Sequence, residues 1–258
     1  MSGSVTFKKD GSIATVVIEH AGRLNALSMP MWLQLGVVFK AVSADETLRC
    51  VILRGAGDAF AAGADIAEFE NERYDIESAK KYGKAIHPSL EAVSNCPHPV
   101  IAQIKGPCVG GGLEIAARAD MRICSANARF GIPVNKLGLV VAYDELKPLL
   151  DIVGPAAALE ILLEGKIIDA TRAEKIGLVN RVVADSDLET EVLATAKRIV
   201  EGAPLAARWH KQFVRRLLEL KALTDAERNE SYLCFGTEDF KTGYRAFLDK
   251  AKPVFKGR

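Results

Sequence analysis

Twice in the first half of the chain, about fifty residues apart, a run rich in β-branched residues gives way to a loop of small residues and then to a helix start. The first copy is the strand Cys50-Val51-Ile52-Leu53-Arg54, the turn Gly55-Ala56-Gly57-Asp58, a short second strand Ala59-Phe60-Ala61, and the loop Gly63-Ala64-Asp65-Ile66. The second is the strand Pro99 to Ile104, the turn Gly106-Pro107, and Gly110-Gly111-Gly112 leading into an apolar helix from Leu113 to Ala119. A weaker third copy runs from Met121-Arg122-Ile123-Cys124 through Ala128-Arg129-Phe130-Gly131 to a short helix near Pro133. No unit of this size buries its own apolar face, so the recurrence predicts an α/β fold built as a spiral of ββα units, each turn stacked on the last.

The flanking segments fit around such a core. Val5 and Phe7 on one side and the β-branched Ile13, Thr15, Val16, Val17 and Ile18 on the other enclose the turn Lys9-Asp10-Gly11, as a hairpin does. A helix follows from Ser28-Met29-Pro30, with Ser28 as the expected N-cap, through Val42. Beyond about residue 155 the pattern is helical apart from Leu178 to Val183, with Thr171-x-x-Glu174 as an expected capping box and helices near 187–201, 204–221, 225–235 and 238–249. The division expected is a spiral core over 1–200 and a helical region over 201–258 that covers the core or joins subunits.

Composition narrows the functions. Thirty-four basic against 33 acidic residues provide no field for nucleic acid or an anionic membrane. Cys50, Cys96, Cys108, Cys124 and Cys234 are scattered and form no C-x-x-C pair, which predicts buried thiols in a reducing compartment with no disulfide framework or zinc site. The N-terminus has no apolar signal core, and a cytoplasmic location is expected. Gly55-x-Gly57 has Phe60 where a dinucleotide motif needs glycine, and neither G-K-[ST] nor G-x-S-x-G occurs.

The two small-residue loops remain as the chemical candidates. Each either permits a tight turn or lets a ligand approach backbone N–H groups at the start of a helix, and two at corresponding places favour donors aimed at one oxygen. Glu114, in the first turn after Gly111, either complements the helix dipole or serves as a general acid/base raised in pKa by apolar neighbours. His87, His98, Trp32 and Trp209 show no partner arrangement and are expected to be structural.

At these residues the chain resembles the crotonase, or enoyl-CoA hydratase/isomerase, family. The matching segments are Asn25-Ala26-Leu27, Ala59 to Ile66, Pro99-Val100-Ile101-Ala102 with Gly106, Gly110 to Ala116, Asp120, Phe130 with Pro133, Leu137-Gly138, Ala173 with Gly177-Leu178-Val179, and Ala246 to Lys250. The resemblance covers essentially the whole chain. It implies the crotonase-type ββα spiral, a homotrimer or homohexamer built through the C-terminal helices, and an acyl-CoA thioester as substrate, with coenzyme A part of that substrate and no metal or redox cofactor. It makes the N–H groups of Ala64 and Gly111 the oxyanion hole and Glu114 a catalytic glutamate. Ala62 matches a position that meets the adenine, with Asp65 and Ile66 in the same segment. Phe247 and Lys250 match residues that reach the nucleotide of a neighbouring subunit, and Arg23 is a candidate phosphate contact.

One departure matters. The second glutamate of the two-glutamate hydratases falls at Val134, which cannot accept a proton, and the glycine-rich loop that follows is replaced by Val140-Val141-Ala142-Tyr143-Asp144-Glu145. Tyr143, Asp144 or Glu145 is therefore expected either to supply the missing group or to be an ordinary helix-start residue. The leading expectation is hydration of a 2-enoyl-CoA through a thioester enolate. The alternatives are double-bond migration, decarboxylation or carbon–carbon cleavage of a CoA ester, and non-catalytic CoA-ester binding.

Overall fold

In the computed structural model, which describes residues 3–219 and 221–258, the chain opens with the hairpin β1 (Ser4–Asp10) and β2 (Ile13–Glu19). Ala14, Val16 and Ile18 alternate into the core, as a strand with one buried face requires. Helix α1 (Met29–Ala44) then buries Met31, Trp32, Leu35, Phe39 and Val42. Ser28 holds the N-cap position without a side-chain hydrogen bond, and the Met29 amide instead donates to Glu68 Oε2 at 2.7 Å. The first helix is thus tied to the loop that follows β3.

β3 (Cys50–Gly55) is buried on both faces, which explains its unbroken apolar run. The expected strand Ala59–Ala61 is reduced to one bridge, Ala61 to Cys108. A side chain takes the place of a ladder there: Asn25 Nδ2 donates to the carbonyls of Ala56 and Ala59 at 2.9 and 2.8 Å. After a 3₁₀ turn (Ile66–Glu68) come α2 (Phe69–Glu72) and α3 (Ile76–Ser94), which packs on α1 with Tyr82, Ile86, Leu90 and Val93 buried. A reciprocal Asp75–Ser78 capping box starts α3.

The next two turns of the spiral are β4 (Val100–Ile104), β5 (Pro107–Val109) and α4 (Gly111–Ala116), then β6 (Met121–Ser125), β7 (Arg129–Gly131) and the 3₁₀ segment Pro133–Leu137. A long helix, α5 (Tyr143–Glu164), follows and is broken at Gly154, whose φ of 71° precedes Pro155. β8 (Ile168–Asp169), α6 (Ala170–Lys175), β9 (Arg181–Val183) and α7 (Leu188–Glu201) complete the core. The expected Thr171 capping box is corrected: Asp169 caps α6 by accepting from the Arg172 amide at 2.8 Å.

Within the described residues the strands form a six-stranded sheet in the order β1-β2-β3-β4-β6-β9 and a three-stranded sheet in the order β5-β7-β8. Pairing is parallel from β2 to β9 and between β5 and β7, so the turns that begin at β4 and β6 each contribute one strand to each sheet, while the first turn reaches the small sheet only through the Ala61–Cys108 bridge. The main core lies between the sheets and α1, α3 and α5, while α7 covers the other face of the large sheet over Cys50, Ile52, Ile101 and Ile123.

The remaining helices are α8 (Pro204–Leu217), α9 (Asp225–Glu230) and α10 (Glu238–Leu248), with 3₁₀ geometry over Ser231–Gly236 where a continuous helix was expected. The expected last residues of the 204–221 helix include Leu220, which lies outside the described residues. Asp120 docks α8: Oδ2 accepts from the Val100 amide at 2.7 Å and from Lys211 Nζ at 2.6 Å, and Oδ1 accepts from Arg215 at 3.0 Å. Cys50, Cys96, Cys108 and Cys124 are buried thiols, and Cys234 is half-buried. Among the described residues no helix is long and apolar enough to cross a membrane, and no cluster of three or more His, Cys, Asp or Glu side chains is placed to hold a metal.

Candidate functional site

The two glycine loops meet. Leu27 and Ala64 form a parallel bridge in which the Leu27 amide donates to Gly63 O at 2.7 Å and the Asp65 amide to Leu27 O at 2.9 Å, which leaves the Ala64 N–H out of the pairing. On the second loop the Gly110 amide donates to Gly131 O at 2.8 Å, while Gly111, the first residue of α4, has no carbonyl within the helix to which its N–H can donate. A Cβ built on Gly111 would come 3.5 Å from Ala64 N, so the two amides are near neighbours.

Backbone geometry makes this approach possible. Gly110 has φ 51° and ψ −125°, a conformation that side chains resist. A Cβ at Gly112 would lie 2.2 Å from Ala61 O, so only glycine lets α4 seat against the first loop. Asn25 supports that loop from below: it is buried, adopts φ 58°, and also accepts from the His20 amide at 2.9 Å.

Above the two amides is a cavity of about 110 Å³, mostly apolar, with walls that include Trp32, Tyr82, Ile86, Val134, Leu137 and Val141. Two carboxyl groups enter it, Glu114 from α4 and Glu145 from α5. Glu114 is 9 % exposed. Burial pushes its carboxyl up to about 8, the Glu145 carboxylate adds to that, and Arg118 and Arg73 offset part of it. These surroundings favour its protonated form.

Glu145, whose side chain is 14 % exposed, is held at both oxygens. Oε2 accepts from the Ala142 amide at 3.1 Å, closing the first turn of α5, and Oε1 lies 3.1 Å from His87 Nε2. Arg118 Nη2 donates to Asp144 O at 2.8 Å and ties the same turn to the end of α4. Of the three residues expected to compensate for Val134, Glu145 alone lines the cavity. Tyr143 is 92 % exposed, and Asp144, its side chain 74 % exposed, borders a separate groove between α5 and α8 with its carboxylate 3.9 Å from His87 Nδ1. The helical turn decides this: residues 143 and 144 point away from the face that position 145 presents to the core.

The other expected site residues divide. Ala62, Ala64, Gly111, Ile66 and Val134 line the cavity. Arg23 lies at 3.3 Å from Asp65 Oδ1, and that same oxygen accepts from the Ala67 amide, so this pair anchors the loop leading away from Ala64. Phe247 and Lys250 are exposed near the end of the chain and do not line this cavity. Two residues expected to be only structural belong to the site: Trp32 forms part of the wall, and His87 holds Glu145. The spacing Tyr82, Ile86, Leu90, Val93 marks a helix face and was the available signal that His87 lies beside it.

The arrangement provides two N–H groups outside the backbone pairing, a buried carboxyl group whose surroundings favour the protonated form, and a second, hydrogen-bonded carboxyl group in one small, mostly apolar space. That set suits proton transfer at carbon beside a carbonyl.

Comparison with known proteins gives a consistent result. A sequence model described as enoyl-CoA hydratase/isomerase matches residues 8–258. A probable enoyl-CoA hydratase of Rhizobium meliloti is 36 % identical over 251 residues, 96 % of each chain. A short-chain-enoyl-CoA hydratase of Clostridium acetobutylicum is 36 % identical over 99 % of this chain and 98 % of its own. The crystal structure of an enoyl-CoA hydratase/carnithine racemase from Magnetospirillum magneticum superimposes with a TM-score of 0.97 at 49 % identity, covering 100 % of this chain and 97 % of that one.

Proposed function

The chain belongs to the enoyl-CoA hydratase/isomerase family, and on that premise we propose that it adds water across the double bond of a 2-enoyl-CoA. The observation that carries this reading is the presence of two carboxyl groups, Glu114 and Glu145, in one cavity with the amides of Ala64 and Gly111.

In the proposed reaction the thioester oxygen accepts from both amides. Glu145 takes a proton from water as the water oxygen bonds to the β-carbon, and the double-bond electrons move onto the thioester oxygen. The N–H groups hold that enolate, each such donor contributing roughly 2.7–4 kcal/mol to transition-state stabilisation. Glu114 then gives its proton to the α-carbon as the carbonyl reforms, leaving a 3-hydroxyacyl-CoA. Transfer of the proton held by Glu145 to Glu114, directly or through solvent, restores the starting state. Burial of Glu114, which favours its protonated form, and the anchored position of Glu145 support this division of acid and base without a glutamate at position 134.

Coenzyme A enters as part of the substrate. In this reading Ala62, Ile66 and the Arg23–Asp65 pair border its path at the loop mouth, and Phe247 and Lys250 serve a neighbouring subunit of a homotrimer or homohexamer. The exposed Tyr232, Leu233, Phe235, Phe247 and Leu248 support such an assembly, because an apolar surface of that extent favours a partner.

The test is incubation with a short 2-enoyl-CoA, and separately with its 3-enoyl isomer, in deuterated water. Mass spectrometry is expected to show gain of one D₂O by the 2-enoyl-CoA, lost in Glu114→Gln and Glu145→Gln. Migration of the double bond without that gain would make the protein an isomerase, and no product or α-deuterium from either substrate would overturn enolate chemistry.

A further inference from the structure

Arg73 follows α2 and lines the cavity that Glu114 and Glu145 share. Its guanidinium carbon lies 4.8 Å from the centre of the Phe69 ring and 4.7 Å from that of the Tyr82 ring, so two aromatic groups fix its position. Among the described residues it has no carboxylate in ion-pair contact, and its Nε is buried without a hydrogen-bond partner. Arg122, which is more fully buried, instead donates to Leu178 O and Ala119 O, both at 2.7 Å. A guanidinium clamped between two rings at the cavity wall, with its Nε buried and unsatisfied, has hydrogen-bonding capacity that an anion arriving with the ligand would fill.

We propose that Arg73 receives a carboxylate carried by the acyl group, so that the preferred substrate is a short acyl-CoA with a carboxyl group on its acyl chain. The inference rests on the acyl-CoA reading above and adds the class of acyl group. The planar fork of arginine matches a carboxylate in a bidentate fashion, and a cationic acyl group is disfavoured at the same place. The phosphates of coenzyme A are the other anions on such a ligand. They are separated from the thioester carbonyl by the whole pantetheine arm, whereas Arg73 is close enough to Glu114 to act on its charge. A guanidinium beside the reacting carbons meets the acyl chain and not the nucleotide.

Glutaryl-CoA and pentanoyl-CoA have acyl chains of the same length, differ in a terminal carboxylate against a methyl group, and cannot be hydrated, so binding can be measured without turnover. Isothermal titration of the intact protein is expected to show at least tenfold tighter binding of glutaryl-CoA, and Arg73→Met is expected to remove that preference. Equal or tighter binding of pentanoyl-CoA by the unaltered protein would overturn the proposal. So would a preference that survives in Arg73→Met, or an equal loss of affinity for free coenzyme A, which would put the guanidinium on the nucleotide. The ratio in the unaltered protein needs no variant, so the proposal can be refuted even should Arg73→Met fail to fold. A glutaryl-CoA preference in a protein that hydrates no enoyl-CoA would sink the hydratase reading and leave the carboxylate subsite standing.

Discussion

Nε2 of His87 lies 3.1 Å from Oε1 of Glu145, joining helix α3 to the first turn of α5. The other oxygen of Glu145 closes the start of its own helix on the Ala142 amide, so the carboxylate has little freedom left to turn away from the cavity. Glu145→Gln is expected to lower kcat by roughly 10²–10⁴, the usual contribution of a positioned acid or base. In the proposed mechanism His87 acts through Glu145, as a positioning residue. His87→Gln should lower kcat more than it raises KM, a split that a purely structural role would not produce.

Glu114 makes stability depend on pH in a direction opposite to that of a salt-bridged carboxylate. Its folded-state value of about 8 lies above the ordinary 4.5, so the folded protein holds a proton that the unfolded chain has released between those limits. Stability from this group is complete below about pH 4.5 and falls as pH rises toward 8. Glu114→Gln should therefore melt higher than the unaltered protein at pH 8, with the difference shrinking to nothing near pH 5. Activity should fall on the alkaline side as the acid form is lost, and thermal melts alongside a pH–rate profile check both.

A methyl group at position 112 would meet the Ala61 carbonyl at 2.2 Å, and backbone cannot yield as a flexible side chain does. Gly112→Ala should push α4 away from the first loop and separate the Ala64 and Gly111 amides. Displacement of about 1 Å at a reacting centre costs on the order of 10² in rate. Steady-state kinetics beside a circular-dichroism melt would distinguish this loss from simple unfolding.

Asp120 joins two basic residues of α8 to the amide that begins β4. Lys211 is almost wholly enclosed, and burial already lowers its pKa. Asp120→Ala leaves that ammonium without its partner, which costs about 3–5 kcal/mol where a buried pair is broken from one side. Denaturant unfolding should show the loss, and amide hydrogen exchange should show α8 opening first.

Much of the architecture is readable along the chain because strands and spiral turns are local patterns. The β-branched-rich run from Ile13 to Ile18, the unbroken run from Cys50 to Leu53 and the glycines at 110–112 each specify an element by residue type or by steric need. Family resemblance along the chain extends this to Ala64, Gly111 and Glu114. The same local rules fail where a partner distant in sequence replaces the expected one. Glu68 and not the Ser28 side chain accepts from the first amide of α1, Asp169 and not Thr171 starts α6, and Asn25 takes the Ala59 carbonyl at the start of the expected Ala59–Ala61 strand.

The candidate site shows that division most clearly. Sequence alone determined that a loop amide from each of two spiral turns and a glutamate after Gly111 would be available, because small residues and a helix start are written into adjacent positions. It left Tyr143, Asp144 and Glu145 indistinguishable, since three consecutive residues at a helix start share the same propensities. Tertiary structure decided among them: the docking of α5 against α3 and α4 turns Glu145 inward, where His87 holds it, and leaves Tyr143 and Asp144 outward. The pKa of Glu114 and the unpaired charge of Arg73 belong to the same category, because each depends on burial and on neighbours that only packing brings together.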